Sequence, residues 1–359
     1  MDFALDSEQD LVVQMVRKFS DRDLRAWAAD ADRAGMPPDK LVASATELGF
    51  FVDAIPAETG GMLEGSYSHL TRALRGFELG RGCAALAALL ESNVEPALAV
   101  ATWGSNPGKA ALFDALLAGG IATFVHDSRG MLEVVAERGD LHVTGKLGPA
   151  PGLAIASHAL VATGERLLLV PLSNPGTAKV TPMTPSGWRA ARWATVELTG
   201  HVVPAELVVS YDPAVVATVL SWARVSLAAR ATGVAVAAMD YAKHYASERV
   251  QFGQPIGRFE SLIRLRDDTM TTAAAARLLV FHGAWALDRG LPEAHDLASR
   301  ARVLAGDCVA RATIDAVQIY GGYGFVNDFP VEKLMRDARA FEALYGDERL
   351  GRVLAANAR

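Results

Sequence analysis

Two long alanine-rich runs constrain this chain more than any other feature. Ala214 to Val250 holds one break candidate, Gly233, and Leu262 to Leu287 meets none until Gly283. Each run is long enough for roughly seven turns of helix or more, and alanine costs least in a helix interior. Two such helices in succession must bury their faces against each other. Residues 211–359 are therefore expected to form a helical bundle.

The first part of the chain also reads as helix. Phe3, Leu5, Leu11, Val12, Met15, Val16 and Phe19 recur at three- and four-residue spacing, the pattern of an amphipathic helix. Ser7, with Gln9-Asp10 following, is the expected cap at its start. Pro37-Pro38 and the stretch Pro56 to Gly61 are turns. A further helix runs through Leu70, Leu74, Phe77 and Leu79 to Gly80-Arg81-Gly82.

The middle changes character. Ile121-Ala122-Thr123-Phe124-Val125, Leu167-Leu168-Leu169-Val170 and Thr195-Val196-Glu197-Leu198 are short β-prone runs separated by Gly, Pro, Asn and Ser, as in a small sheet or barrel. Helix, sheet, helix in that order predicts an α+β fold. The expected units are 1–118 (helical), 119–210 (β) and 211–359 (helical bundle).

With 359 residues, 51% of them hydrophobic, the chain can bury a large core. Its formal net charge of −6 and lack of a basic tract argue against nucleic-acid binding. The two cysteines, Cys83 and Cys308, are too few for a disulfide framework and fit a reducing cytoplasm. Met1-Asp2-Phe3-Ala4 is acidic where a signal peptide begins basic, and no uncharged apolar run reaches membrane-spanning length. A soluble, cytoplasmic protein is expected.

Two motifs carry chemistry. The first is Glu248-Arg249-Val250-Gln251-Phe252-Gly253-Gln254-Pro255-Ile256-Gly257. The second, some seventy residues on, is Gln318-Ile319-Tyr320-Gly321-Gly322-Tyr323-Gly324-Phe325. Arg249 presents a fixed fork of donors suited to phosphate, Phe252 an apolar wall, and Gln318 both a donor and an acceptor. Gly321, Gly322 and Gly324 leave room for close backbone approach to a phosphate. Alone, each motif reads first as a solvated arginine, a core phenylalanine or a helix-ending turn.

Together they resemble the "RxQFGxPIG" and "QxxGGxG" motifs of acyl-CoA dehydrogenases, which are FAD-dependent. Weaker likeness spans nearly the whole chain, at Leu48-Gly49-Phe50, Pro56 to Gly61, Phe77 to Arg81 and Val203-Pro204-Ala205. The resemblance implies an N-terminal helical domain, a middle β-domain and a C-terminal four-helix bundle. It also implies dimers in which one subunit's Arg249, Phe252, Gln318, Gly321 and Gly322 reach the pyrophosphate and adenosine end of an FAD whose ring lies in the neighbour.

The same resemblance exposes three departures. The family's catalytic glutamate aligns with Tyr345, just before Gly346, and a second base position used by some branches aligns with Ala223. Removing the α-proton of a thioester needs a carboxylate within hydrogen-bond reach, and neither residue supplies one. Glu342, Asp347 and Glu348 are nearby but face other directions, because a helix turns about 100° per residue. The family's "TEPxxGSD" loop aligns with Val125-His126-Asp127-Ser128-Arg129-Gly130. Its flavin-edge segment aligns with Gly145-Lys146-Leu147-Gly148-Pro149-Ala150-Pro151-Gly152, whose prolines remove backbone donors. His126 reads as a solvated loop residue. Arg224 reads equally as the family arginine that orders the active-site helices and as an intrachain salt-bridge residue.

All three losses fall on the half of the site that holds the ring and the base. The resemblance thus points to the non-catalytic subunit of a heteromeric α2β2 acyl-CoA dehydrogenase, of the kind that in actinobacteria acts on CoA thioesters of steroid side chains. Its FAD would be shared with a homologous catalytic subunit, acyl-CoA would be the substrate, and an electron-transfer flavoprotein the possible acceptor. The alternatives are a homomeric flavoprotein with altered chemistry, such as an acyl-carrier-protein oxidase or a monooxygenase, and a non-enzymatic scaffold.

Overall fold

A computed structural model describes residues 4–345 of the chain. The N-terminal helices are α1 (Ser7–Phe19), α2 (Arg25–Ala34), α3 (Lys40–Glu47), α4 (His69–Gly82), α5 (Ala84–Leu90), α6 (Val94–Trp103) and α7 (Asn106–Leu117). The cap of α1 is Asp6 and not Ser7. Asp6 accepts from the Gln9 backbone, and the Gln9 side chain returns a bond to the Asp6 backbone. This reciprocal capping box satisfies two amide donors at once, which a cap at Ser7 would not.

Strands follow: β1 (Ile121–His126), β2 (Leu132–Glu137), β3 (Asp140–Ala150), β4 (Ala156–Thr163), β5 (Arg166–Pro171), β6 (Ala178–Pro182), β7 (Ala194–Val203) and β8 (Val208–Ser210). They form two four-stranded sheets, ordered β1-β4-β5-β8 and β2-β3-β7-β6. Only β1 and β4 run parallel. Leu167 to Val170 are fully buried and close a core that also takes Val94 to Val100 of α6.

The C-terminal helices are α8 (Pro213–Glu248), α9 (Glu260–Asp288), α10 (Ala294–Tyr320) and α11 (Pro330–Glu342), with a short hairpin of β9 (Val250–Gln251) and β10 (Gln254–Pro255) between α8 and α9. Gly233 does not break α8. A Cβ there would lie 2.1 Å from the Phe77 carbonyl oxygen, and one at Gly80 would lie 2.3 Å from that of Arg230. These glycines let α4 and α8 cross with their backbones in contact, so their sequence signal is packing and not a turn. The alanine stripe has the same use: Ala228, Ala231, Ala235, Ala238 and Ala242 of α8 are buried in one core with Ala301, Ala305, Ala312 and Ala316 of α10.

Ala84–Trp103 and Pro213–Glu248 are long and apolar enough to cross a membrane by length and composition, but 94% and 72% of their most apolar windows lie inside the fold. Cys83 and Cys308 are free and buried.

Candidate functional site

The bundle brings the two motifs together. Arg249 follows the last turn of α8 and the Gly321–Phe325 turn follows α10. Tyr245 stacks on Tyr320 at 4.2 Å and 13°, and Tyr320 and Tyr323 both meet Phe329 edge-on. This aromatic clamp pins the end of α8 to the end of α10. The Arg249 guanidinium lies 5.7 Å above the Tyr323 ring, and its side chain makes no ion pair among the described residues. Sequence reasoning quoted Tyr320 and Tyr323 inside a motif but missed this clamp. The signal was present in the aromatic spacing across the two helix ends.

Phe252 is the most unusual residue of this face. It forms, with Gly253, the two-residue turn of the β9–β10 hairpin, at φ 53° and 80° respectively. A phenylalanine in the left-handed region costs roughly 1–2 kcal/mol, and this one is 94% exposed, so no burial offsets the cost. A strained, solvent-facing aromatic serves neither the turn nor the core, and such outliers point to function. Gln318, in the second motif, is exposed on the last turns of α10. Gly321 sits at φ 61°, ψ −133°, a conformation left to glycine. Nothing lies within 4 Å of a Cβ built on Gly321 or Gly322. The predicted residues are thus presented outward as a set: one unpaired guanidinium, one aromatic wall, one amide and an open glycine backbone. That donor set suits a pyrophosphate and the adenosine beside it.

The second half of the site lies where β1, β3 and the segment after α11 meet. A cleft of about 320 Å³ is lined by Phe124, His126, Asp127, Arg129, Lys146, Pro149, Glu342 and Tyr345, among others. The Val125–Gly130 segment is closed on itself. The Asp127 carboxylate accepts from the Met131 and Leu132 amides at 2.8 and 3.1 Å and from the Thr163 hydroxyl at 3.0 Å. Pro149 offers no N–H along the opposite wall. Tyr345 itself packs against both hydrophobic cores and stacks on Phe124 at 5.4 Å. This cleft does not suit a flavin ring: its two carboxylates, Asp127 and Glu342, are both engaged locally and an aromatic ring already fills its inner end.

Neither base position can take a proton. Ala223 is fully buried against the sheet core. Burial raises the Tyr345 hydroxyl above its ordinary range, and nearby Glu95 raises it further, so it stays a neutral phenol. Glu342 pairs with Arg339 at 2.6 Å. Asp347 and Glu348, like Gly346, lie outside the described residues. Arg224 makes no salt bridge among the described residues. Its Nε donates to the Tyr345 carbonyl at 3.1 Å, tying α8 to the segment after α11, and burial together with Arg302 holds it down to about 10.

His126 is not solvated. It ends β1, half-buried, and its Nδ1 has no hydrogen-bond partner. Burial and the Arg224 charge lower it to about 4, so it is neutral at pH 7. A histidine depressed in the fold binds its proton only in the unfolded chain between about pH 6.5 and pH 4. Its contribution to stability is present above that window and lost as pH falls through it. His126→Asn is therefore expected to flatten stability against pH there, by up to about 1.4 kcal/mol per pH unit. Urea titrations of both proteins from pH 4 to 7 check this, and parallel curves would contradict it.

Behind Tyr345 lies a group that sequence reasoning missed altogether. Arg72 of α4 pairs with Glu91 and Glu95 at 2.8 and 2.9 Å, and Arg75 pairs with Glu91 at 2.7 Å and with Asp53. Arg72, Glu91 and Glu95 are buried. Arg230 of α8, 6% exposed, lies over the Trp188 ring at 5.9 Å, and its Nε has no partner. Charges at three- and four-residue spacing inside apolar helices were the available signal.

Comparison with known proteins places this geometry. Residues 6–120 match the family model for the acyl-CoA dehydrogenase N-terminal domain, and residues 214–358 that for the C-terminal domain. The chain is 29% identical to the probable acyl-CoA dehydrogenase YngJ of Bacillus subtilis, over 99% of both chains. It is also 29% identical to the cyclohex-1-ene-1-carbonyl-CoA dehydrogenase of Geobacter metallireducens, over 99% of this chain and 98% of the relative. Among solved structures, butyryl-CoA dehydrogenase from Megasphaera elsdenii shares its fold, with a TM-score of 0.90 at 23% identity over 100% of this chain and 99% of that one. Matched at both ends and folded like its relatives throughout, the chain belongs to the acyl-CoA dehydrogenase family.

Proposed function

We propose that this chain is the non-catalytic subunit of a heteromeric, FAD-dependent acyl-CoA dehydrogenase. The observation that carries the reading is the contrast between the two half-sites. Arg249, Phe252, Gln318, Gly321 and Gly322 are exposed, and Arg249 makes no ion pair among the described residues. The base position holds a half-buried neutral tyrosine. An outward face kept at the cost of backbone strain is of use only to a neighbour.

In this reading Arg249 binds the pyrophosphate of an FAD whose ring and base belong to a homologous catalytic chain, in an α2β2 assembly. Phe252 shields that pyrophosphate from water, and Gln318 and the Gly321-Gly322 backbone hold the adenosine end. The bound flavin supplies the hydride acceptor for α,β-dehydrogenation of an acyl-CoA thioester. The substrate class is a bulky acyl group such as a steroid side chain, and an electron-transfer flavoprotein is the onward acceptor. The cytoplasm is the matching compartment.

The test is flavin content and native mass of the chain expressed alone and with a homologous chain that retains the glutamate. FAD only in the complex, at one per pair of unlike chains, is expected. A yellow homodimer of this chain with one FAD per subunit would overturn the reading in favour of a homomeric flavoprotein.

A further inference from the structure

We infer that Tyr345 is a plug, and that this chain's own thioester pocket is closed to acyl groups. The inference deepens the subunit reading and rests on it for its stoichiometry. Two spaces meet at Tyr345. The outer one is the cleft of about 320 Å³, and the inner one is a void of about 10 Å³ lined by Glu91, Ser92, Glu95, Thr123, Trp188 and Arg230. Phe124, Leu344 and Tyr345 border both, so the tyrosine ring and its two neighbours are the partition. The inner void has room for about one water molecule.

The ring is held in place on several sides. Its face stacks on Phe124, and its carbonyl is fixed by Arg224. The preceding carbonyls of Phe341 and Leu344 accept from the buried Arg302. The backbone of Tyr345 is itself in the left-handed region, at φ 57°. A non-glycine residue persists there only when its surroundings over-determine it.

The inner wall is equally unsuited to an alkyl chain. Arg230, Glu91 and Glu95 border the void directly, and Arg72 stands behind the two glutamates. An acyl tail pushed among them would separate buried charges from their partners with nothing polar to offer in return. Closure therefore comes from two independent features, the ring in front and the ions behind. In a two-chain enzyme the consequence is one thioester per pair of unlike chains, bound by the catalytic chain only.

Two measurements test this. In the first, butyl- and octyl-CoA thioethers are titrated calorimetrically into the full chain alone and into its complex. No binding to the chain alone and one equivalent per unlike pair in the complex is expected. Two equivalents per pair, with FAD still at one per pair, would overturn the plug and leave the subunit reading standing. FAD at one per chain with no thioether bound would overturn the subunit reading and leave the plug.

The second measurement reads the partition itself. Ser92→Cys places a thiol in the inner void, and Cys83 and Cys308 are buried elsewhere. Its reaction with methyl methanethiosulfonate should quicken by an order of magnitude or more when Tyr345→Gly is added. Glycine keeps the left-handed backbone without strain, so the double variant should fold, which its far-ultraviolet spectrum reports. Equal rates in the two folded proteins would show that Tyr345 closes nothing.

Discussion

Replacing Arg249 with Gln is expected to strip FAD from the two-chain complex while leaving this chain folded and paired. Its guanidinium rests on the Tyr323 ring and its side chain has no ion-pair partner among the described residues. Its removal should therefore cost the fold no more than about 0.5 kcal/mol, as for most surface changes. What it removes is a pair of charge-assisted hydrogen bonds to phosphate, about 1.5–3 kcal/mol, or roughly 10- to 100-fold in FAD dissociation constant. Arg249→Lys should fall between, because a point charge lacks the fork. The absorbance ratio at flavin and protein wavelengths, taken on the gel-filtered complex, reads the loss. A variant complex that keeps its full flavin would mean that this face does not hold the cofactor. Phe252→Gly is the informative companion. It relieves the positive φ and should steady the isolated chain by about 1 kcal/mol, yet loosen the flavin in the complex. Gain in one and loss in the other would mark Phe252 as a residue kept for its neighbour.

How far this was legible in advance depends on the kind of information involved. The β-runs at Leu167 to Val170 and Thr195 to Leu198 are strands, and the alanine-rich runs are helices, because periodicity and composition act locally. The outward residues were named from motif spacing, and the fold shows the two motifs clamped side by side. Gly233 misled because a glycine in a helical pattern signals either a break or a close crossing. Only the neighbour Phe77, far away in sequence, decides between them. His126 misled for the same reason. Its burial comes from strand β1 joining β4, a pairing that no local pattern announces. The ions behind Tyr345 were unreadable as a group, since Arg72, Glu95 and Arg230 come from three helices and Glu91 from the turn after α5. Tyr345 was recognised as the wrong residue for a base. That its ring also closes the pocket needed the packing.

Those ions give the largest stability effect expected in the molecule. Arg72→Met should destabilise the chain by about 3–5 kcal/mol, the usual cost of breaking a buried pair from one side. Glu91 would keep Arg75 at 2.7 Å, but Glu95 would lose the only ion pair it makes among the described residues. The cost is thus mostly that of a stranded Glu95 carboxylate, and it should be largely recovered in Arg72→Met/Glu95→Met, where no charge is left alone. Urea midpoints with unchanged slopes measure Arg72→Met, Glu95→Met and the double variant. Two single-mutant costs that simply add would show that Arg72 and Glu95 do not act as a pair. Recovery in the double variant would carry a further meaning. If apolar side chains can replace the pair at little cost, stability alone does not account for charge at this place. On the subunit reading proposed above, the charges directly behind Tyr345 would make the space beyond its ring hostile to an acyl tail. A subunit that leaves its chemistry to a partner would have no use for a substrate in its own pocket, and a buried ion network would exclude one.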